Sequence, residues 1–138
     1  MSGMGSHHSA HAGTHIWITP RQYVEALGPF DLDPCASDPR PWDTAAEHYT
    51  DFGLLIPWHG RVWLNPPYGN HVGKWMNRMS GHGNGIALTF ARTETEWFFE
   101  YVWYHATALF FLRNRITFCC VDGTPAGTTT GYVSLMGA

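Results

Sequence analysis

Two consecutive prolines after a short apolar run fix where this chain can and cannot be a sheet. Val62-Trp63-Leu64 reads as a strand, and Asn65-Pro66-Pro67-Tyr68-Gly69 follows at once. Proline has no N–H and a fixed φ, so two in succession end a ladder and push the preceding residue away from helix. The chain therefore leaves the sheet at Asn65. An Asn side chain carries one acceptor and two donors, and Pro66 still offers its carbonyl, so two acceptors can converge on one amino group. Tyr68 adds a flat face beside them. An amino group on a planar ring, such as an exocyclic base nitrogen, suits this arrangement; a plain tight turn is the competing reading, because Asn, Pro and Gly are common turn residues.

A chain of 138 residues is expected to be one domain, large enough for a core and short for a protein that holds both a cofactor and a macromolecule. The N-terminal residues 1–15, with Gly, Ser, Ala and four of the nine histidines, lack periodicity and are expected to be a disordered arm without a metal site. Residues 16–138 then form a single domain with no separate recognition domain. Seven Trp, six Tyr and eight Phe give unusual stacking surface. No apolar run approaches the roughly eighteen residues of a membrane span, and the N-terminus lacks the apolar core of a signal peptide. A cytoplasmic protein with no membrane partner is expected. Three cysteines, Cys35 and the adjacent Cys119 and Cys120, suit neither a disulfide framework nor a metal spacing.

A formal charge of −3 argues against a nucleic-acid partner until it is divided along the chain. Residues 1–60 hold two bases against seven acids, whereas residues 61–138 hold six bases against four acids. The positive part carries the Asn-Pro-Pro-Tyr motif. Lys74, Arg78, Arg92, Arg113 and Arg115, with Arg61, are the candidate contacts to a phosphate backbone.

Local patterns predict the elements. Thr19 as cap, Pro20 as first helical residue and Gln22 completing a capping box start a helix that runs to about Leu27 and ends at Gly28-Pro29. Phe30 to Ser37 reads as a strand that stops at Pro34 and opens into a small-residue loop, the kind of loop where ligands sit in an α/β sheet, with Asp33 able to accept from an ammonium group. Residues 38–50 read as a loop with one helical turn near 44–49. Asp51 beside Phe52 pairs an acceptor with a ring, which suits an adenine; a capping Asp next to a core Phe is the alternative. Val72, Trp75, Met76 and Met79 lie on one face of a helix over about 70–79, broken by Gly81–Gly85 before a buried strand 86–90. Thr93 with Glu96 reads as a second capping box for a helix to about His105. Strands near 108–112, 116–120 and 132–136 complete a mixed, mostly parallel sheet flanked by helices.

In this order, Trp17-x-Thr19-Pro20, Phe30-Asp31-Leu32-Asp33-Pro34-Cys35-Ala36, Asp51-Phe52, the segment from Trp58 to Gly69 and the segment from Ala91 to Phe98 resemble the S-adenosylmethionine-dependent amino-methyltransferases. The set is most similar to the phage-type DNA adenine-N6 methyltransferases and covers about Trp17 to Met136. The resemblance implies a reduced Rossmann-like methyltransferase fold with S-adenosylmethionine as cofactor and DNA adenine as target. It implies that Thr19, Pro20, Asp33, Pro34, Cys35 and Ala36 hold the methionine part of the cofactor and that Asp51 and Phe52 hold its adenine. It assigns Asn65, Pro66, Pro67 and Tyr68 to catalysis: Asn65 and Pro66 take the target amine and Tyr68 stacks on the target base. A base flipped out of a duplex must be held by stacking, for which Phe52, Trp63 and Trp97 are further candidates. The loop 33–37 departs from the family in having no glycine, and residues 38–50 leave no room for a full strand and helix bearing a ribose-binding acid.

The same motif also serves amines in RNA and protein glutamine, and an inactive nucleic-acid-binding or anti-restriction module is an expectation of another class. With no recognition domain, target choice falls to loops 79–85 and 121–131. Relaxed specificity or a homodimer is expected; the aromatics of helix 94–105 offer an interface for a dimer, and packing into the core is the favoured reading of them.

Overall fold

A computed structural model describes residues 17–126 and the backbone of 133–137. The expected arm 1–15, most of the Gly- and Thr-rich loop from 127 onward, and Tyr132 lie outside the described residues. Helix α1 spans Arg21–Leu27, β1 Leu32–Asp33, β2 Glu47–His48, β3 Val62–Leu64, α2 Val72–His82, β4 Gly85–Phe90, α3 Glu96–Phe98, β5 Ala108–Phe111 and β6 Val133–Gly137; α3 continues into a π-helical turn, Phe99–Trp103.

The strands form one sheet in the order β2-β1-β3-β4-β6-β5. Strands β2, β1, β3 and β4 pair in parallel, while β6 runs antiparallel to both β4 and β5. The chain is thus a mixed α/β protein with a mostly parallel sheet. Strand β3 lies inside the sheet, and all three of its residues are buried, as parallel strands covered on both faces require. Successive side chains alternate between faces. Val62 and Leu64 join Trp75, Met76 and Met79 of α2 and Phe98 and Val102 of the following helical segment. Trp63 points the other way, with Ile86 and Leu88 of β4, into a core closed by Val24 of α1, Phe30, Ile116 and Phe118.

Helix α2 buries the expected face, Val72, Trp75, Met76 and Met79. It runs past Gly81, where the missing side chain costs only about 1 kcal/mol, and ends at Gly83, whose φ of 72° and N–H bond to the Met79 carbonyl make a left-handed cap. Gly85 is needed for a different reason. Its φ is 145°, and a Cβ there would lie 2.2 Å from the Val62 carbonyl oxygen.

Several local expectations are corrected. Thr19 does not cap α1: Pro20 occupies the cap with ψ of 137° and no side chain caps the helix. The expected turn near 44–49 is strand β2, because pairing with β1 satisfies backbone groups that one isolated helical turn cannot. Thr93 and Glu96 make no capping box; Thr95 holds the cap position, and its hydroxyl donates back to the Arg92 carbonyl at 2.6 Å. Residues 116–120 are not a strand of the sheet. Cys119 forms isolated bridges to Ile18 and Pro125, and Ile116 and Phe118 are buried because this segment lies on the sheet's face.

No helix among the described residues is long and apolar enough to cross a membrane. Gly85→Ala is expected to destabilise the fold by about 3 kcal/mol, combining a positive φ with backbone overlap. Urea unfolding should show a lower midpoint with an unchanged slope.

Candidate functional site

Strand order reverses between β1 and β3: β2 lies on one side of β1, and β3 and β4 on the other. Loops leaving the carboxyl ends of two such strands diverge and leave a crevice. Here those loops are Pro34–Ser37 and Asn65–Tyr68. The crevice, about 280 Å³, is lined by Trp17, Thr19, Asp33, Cys35, Ala36, Ser37, Trp42, Thr44, Thr50, Trp63, Asn65, Pro66 and Pro67, among others.

Asn65 is held from the far end of the chain. Its Nδ2 donates to the Trp17 carbonyl at 2.7 Å and to the Thr19 hydroxyl at 3.2 Å, and its Oδ1 accepts from the Tyr68 hydroxyl at 3.0 Å. Segment 17–19 is itself fixed. Ile18 and Cys119 exchange backbone hydrogen bonds at 3.1 and 2.8 Å, and the Trp42 indole donates to the Thr19 carbonyl at 3.1 Å.

Asp33 ends β1 as a buried carboxylate, 4% exposed. Its Oδ1 accepts from the Cys35 amide at 3.0 Å and its Oδ2 from the Thr44 hydroxyl. Each oxygen keeps a lone pair for a further donor in the crevice. Burial pushes its pKa from 3.8 to about 6, against the lowering effect of these two bonds and of the Arg40 charge. The neighbouring Cys35 thiol is pushed up to about 12 by burial and by Asp33, so it is a neutral thiol rather than a nucleophile.

Tyr68 faces away from the first crevice into a second, about 260 Å³, lined by Tyr68, Gly69, Asn70, Val72, Phe90, Arg92, Thr95 and Trp97. Its ring stacks on Phe90 with centroids 4.0 Å apart, so one face is already covered. Burial raises its phenol pKa. Asn65 and Tyr68 thus form the wall between two crevices.

The structure brings Thr19, Asp33, Cys35, Ala36, Asn65, Pro66 and Pro67 together and leaves other expected residues outside the first crevice. Pro20 sits on the helix cap. Pro34 is buried behind the loop, its carbonyl oxygen 1.8 Å from where a Cβ on Gly53 would stand. Only a glycine at 53 lets the Asp51–Gly53 turn come this close to the β1 loop. Asp51 and Phe52 do not line the crevice, although Thr50 before them does. Phe52 is 73% exposed and has a φ of 58°, a conformation that is strained for a bulky residue.

The basic residues do not form one patch. Arg92 lines the second crevice and is bonded to Glu94 at 2.8 Å. Lys74 and Arg78 line a separate groove on α2 with Trp58 and His82. Arg78 donates to the Ile56 carbonyl at 3.4 Å and lies over Trp58. Arg113 and Arg115 are exposed after β5. Arg61 is committed internally, donating to the Leu27 and Pro29 carbonyls at 2.8 and 2.9 Å and covering the Phe30 ring. Among the described residues no group of three or more His, Cys, Asp and Glu could hold a metal ion.

Sequence reasoning missed Thr44, Trp42 and Phe90. Thr44 and Trp42 lie in the segment with no periodicity, and Phe90 looked like an ordinary end to a buried strand. No protein-family model, curated protein or solved structure matches this chain at a significant level.

The raised pKa of Asp33 makes a signed prediction. A carboxyl whose folded pKa lies above its unfolded value favours the fold when protonated, and that contribution is lost as pH rises from about 4 through about 6. Asp33→Asn removes the buried charge. Its stability relative to wild type should therefore be about 2 kcal/mol more favourable at pH 7 than at pH 4, read from urea titrations of both proteins at the two pH values.

Proposed function

We propose that this protein transfers the methyl group of S-adenosylmethionine to the N6 amine of adenine in DNA, on a reduced Rossmann-like methyltransferase fold. The observation that carries the reading is the Asn65 amide. Both of its N–H groups are engaged by Trp17 and Thr19, so its oxygen is the group left to accept, at the wall between two crevices. The reversal of strand order at this position agrees with a nucleotide-like cofactor above the β1 and β3 ends.

The residues of the first crevice suit that cofactor. Asp33 offers a buried carboxylate to its ammonium group, and Ala36 and Ser37 let it approach the backbone; outside the crevice lining, the exposed Phe52 ring, two residues past Thr50, would offer a face to its adenine. When bound, the cofactor supplies an already activated methyl group, so the protein's task is alignment and electrostatics rather than covalent chemistry. The adenine amine is a weak nucleophile because its lone pair is delocalised into the ring. Asn65 Oδ1 and the Pro66 carbonyl accept its two N–H bonds and favour the pyramidal form. The Tyr68 hydroxyl, which now occupies Asn65 Oδ1, gives way to the amine. Nitrogen becomes acidic once it bears the methyl group, so the surplus proton leaves to water without a strong base. An amine inside a duplex is out of reach, so the base must be flipped. The second crevice, with Tyr68, Phe90 and Trp97, offers rings to receive it, and Arg92 stands beside it for a phosphate.

Tritium transfer from labelled S-adenosylmethionine to unmethylated plasmid DNA, followed by nucleoside analysis, tests the reading. Label should appear as N6-methyladenine and fall by about a hundredfold or more in Asn65→Ala. Undiminished transfer in that variant removes Asn65 from the mechanism, and label in RNA or protein glutamine but not DNA moves the acceptor. Phe52→Gly should separate stability from binding. Relief of the positive φ leaves the protein as stable or up to about 1 kcal/mol more stable, while calorimetry should show weaker binding of S-adenosylmethionine.

A further inference from the structure

Thr19 is tied to Asn65 in a way that a role in holding the cofactor's methionine part does not explain. The residue is 2% exposed, and its hydroxyl oxygen accepts from Asn65 Nδ2 at 3.2 Å across 46 residues of chain. The second Nδ2 hydrogen goes to the Trp17 carbonyl. With both donors engaged, the amide has one favoured orientation. Turning it over would set Oδ1 against the Trp17 carbonyl, acceptor against acceptor. Segment 17–19 cannot drift to relieve that clash, because Ile18 is bridged to Cys119 and the Trp42 indole holds the Thr19 carbonyl. A side chain locked by its neighbours in this way is preorganised for whatever it binds.

We propose that Thr19 is a positioning residue for Asn65, fixing the amide so that Oδ1 points to the Tyr68 side, away from the Trp17 carbonyl. The geometry stands on its own, and the catalytic consequence rests on the methyl-transfer reading. Thr19→Val keeps the shape and removes the acceptor, whereas Thr19→Ser keeps the oxygen. In the full-length protein, Thr19→Val should lower kcat about tenfold with KM for S-adenosylmethionine within about twofold of wild type, and Thr19→Ser should restore kcat. A rise in KM with kcat retained would make Thr19 a cofactor contact and overturn the proposal. Equal losses in both variants would also overturn it, since packing rather than the hydroxyl would then matter.

A second readout is independent of activity. In ¹⁵N-labelled protein the Asn65 side-chain NH₂, assigned by its loss in Asn65→Ala, should show two protons exchanging slowly with water. In Thr19→Val one of them should move and exchange faster, and in Thr19→Ser neither should. An unchanged Asn65 NH₂ in Thr19→Val overturns the positioning role. If wild type transfers no label to DNA, RNA or protein, the methyl-transfer reading fails while the NH₂ signals still decide the role of Thr19.

Discussion

The end of β3 governs the arrangement of everything around it. Leu64 is the last residue able to continue the ladder, because Pro66 has no N–H to donate. Asn65 is therefore left with its backbone at the carboxyl end of the sheet and its side chain free to reach outward. What it reaches is a segment from the start of the described chain, and the bonds to Trp17 and Thr19 sew that segment over the carboxyl end of the sheet. Segment 17–19 in turn carries the Cys119 bridge, which lays Ile116 and Phe118 on the sheet face. One amide thus joins the middle of the sheet to both outlying parts of the described chain.

Asp33 shows a second use of the same end of the sheet. A carboxylate taken out of water is unfavourable unless its lone pairs find donors, and here the donors come from the next loop and from Thr44. The Thr44 contact depends on β2, whose pairing with β1 brings residues 44–48 alongside Asp33. Further support comes from His48, whose Nε2 accepts from the Thr44 and Ala45 amides at 3.1 and 3.3 Å. Burial and the Arg40 charge lower the His48 pKa, which keeps that nitrogen free to accept. A two-residue strand therefore positions a buried acid through the loop before it.

Parts of this were legible in the sequence for identifiable reasons. Helix α2 announces itself through four apolar residues at helical spacing, and β3 through an apolar run closed by prolines. Both are local signals that the tertiary structure reinforces. Strand β2 was illegible because Glu47 and His48 are partly exposed and carry no apolar alternation. Residues 116–120 misled for the opposite reason: burial against the face of a sheet and burial within it produce the same alternation. Thr19 was read as a helix cap because capping patterns consider only the next few residues, and its actual partner is 46 positions away. The motif residues Asn65, Pro66 and Asp33 stand out in the sequence because their chemistry is local, whereas Thr44 and Phe90 acquire significance only from what the fold places beside them.

Where the fold tolerates local cost is not random. At the amino ends of the central strands, tight approaches are relieved by glycine: Gly85 against Val62, and Gly60, with φ of 64°, against Asp31. Chain economy there follows steric need. At the carboxyl ends the pattern is reversed. Phe52 holds a positive φ that glycine would adopt freely, and it holds it with its ring in solvent, so burial of the ring does not compensate. Asp33 stays ionisable where an amide would avoid the desolvation of a charge. Both residues follow strands at the carboxyl end of the sheet: Asp33 lines the crevice and is held by Thr44 and the Cys35 amide, and Phe52 stands two residues past Thr50, which lines it. Selection for stability alone would have removed both, and strain of this kind concentrates where a ligand is bound.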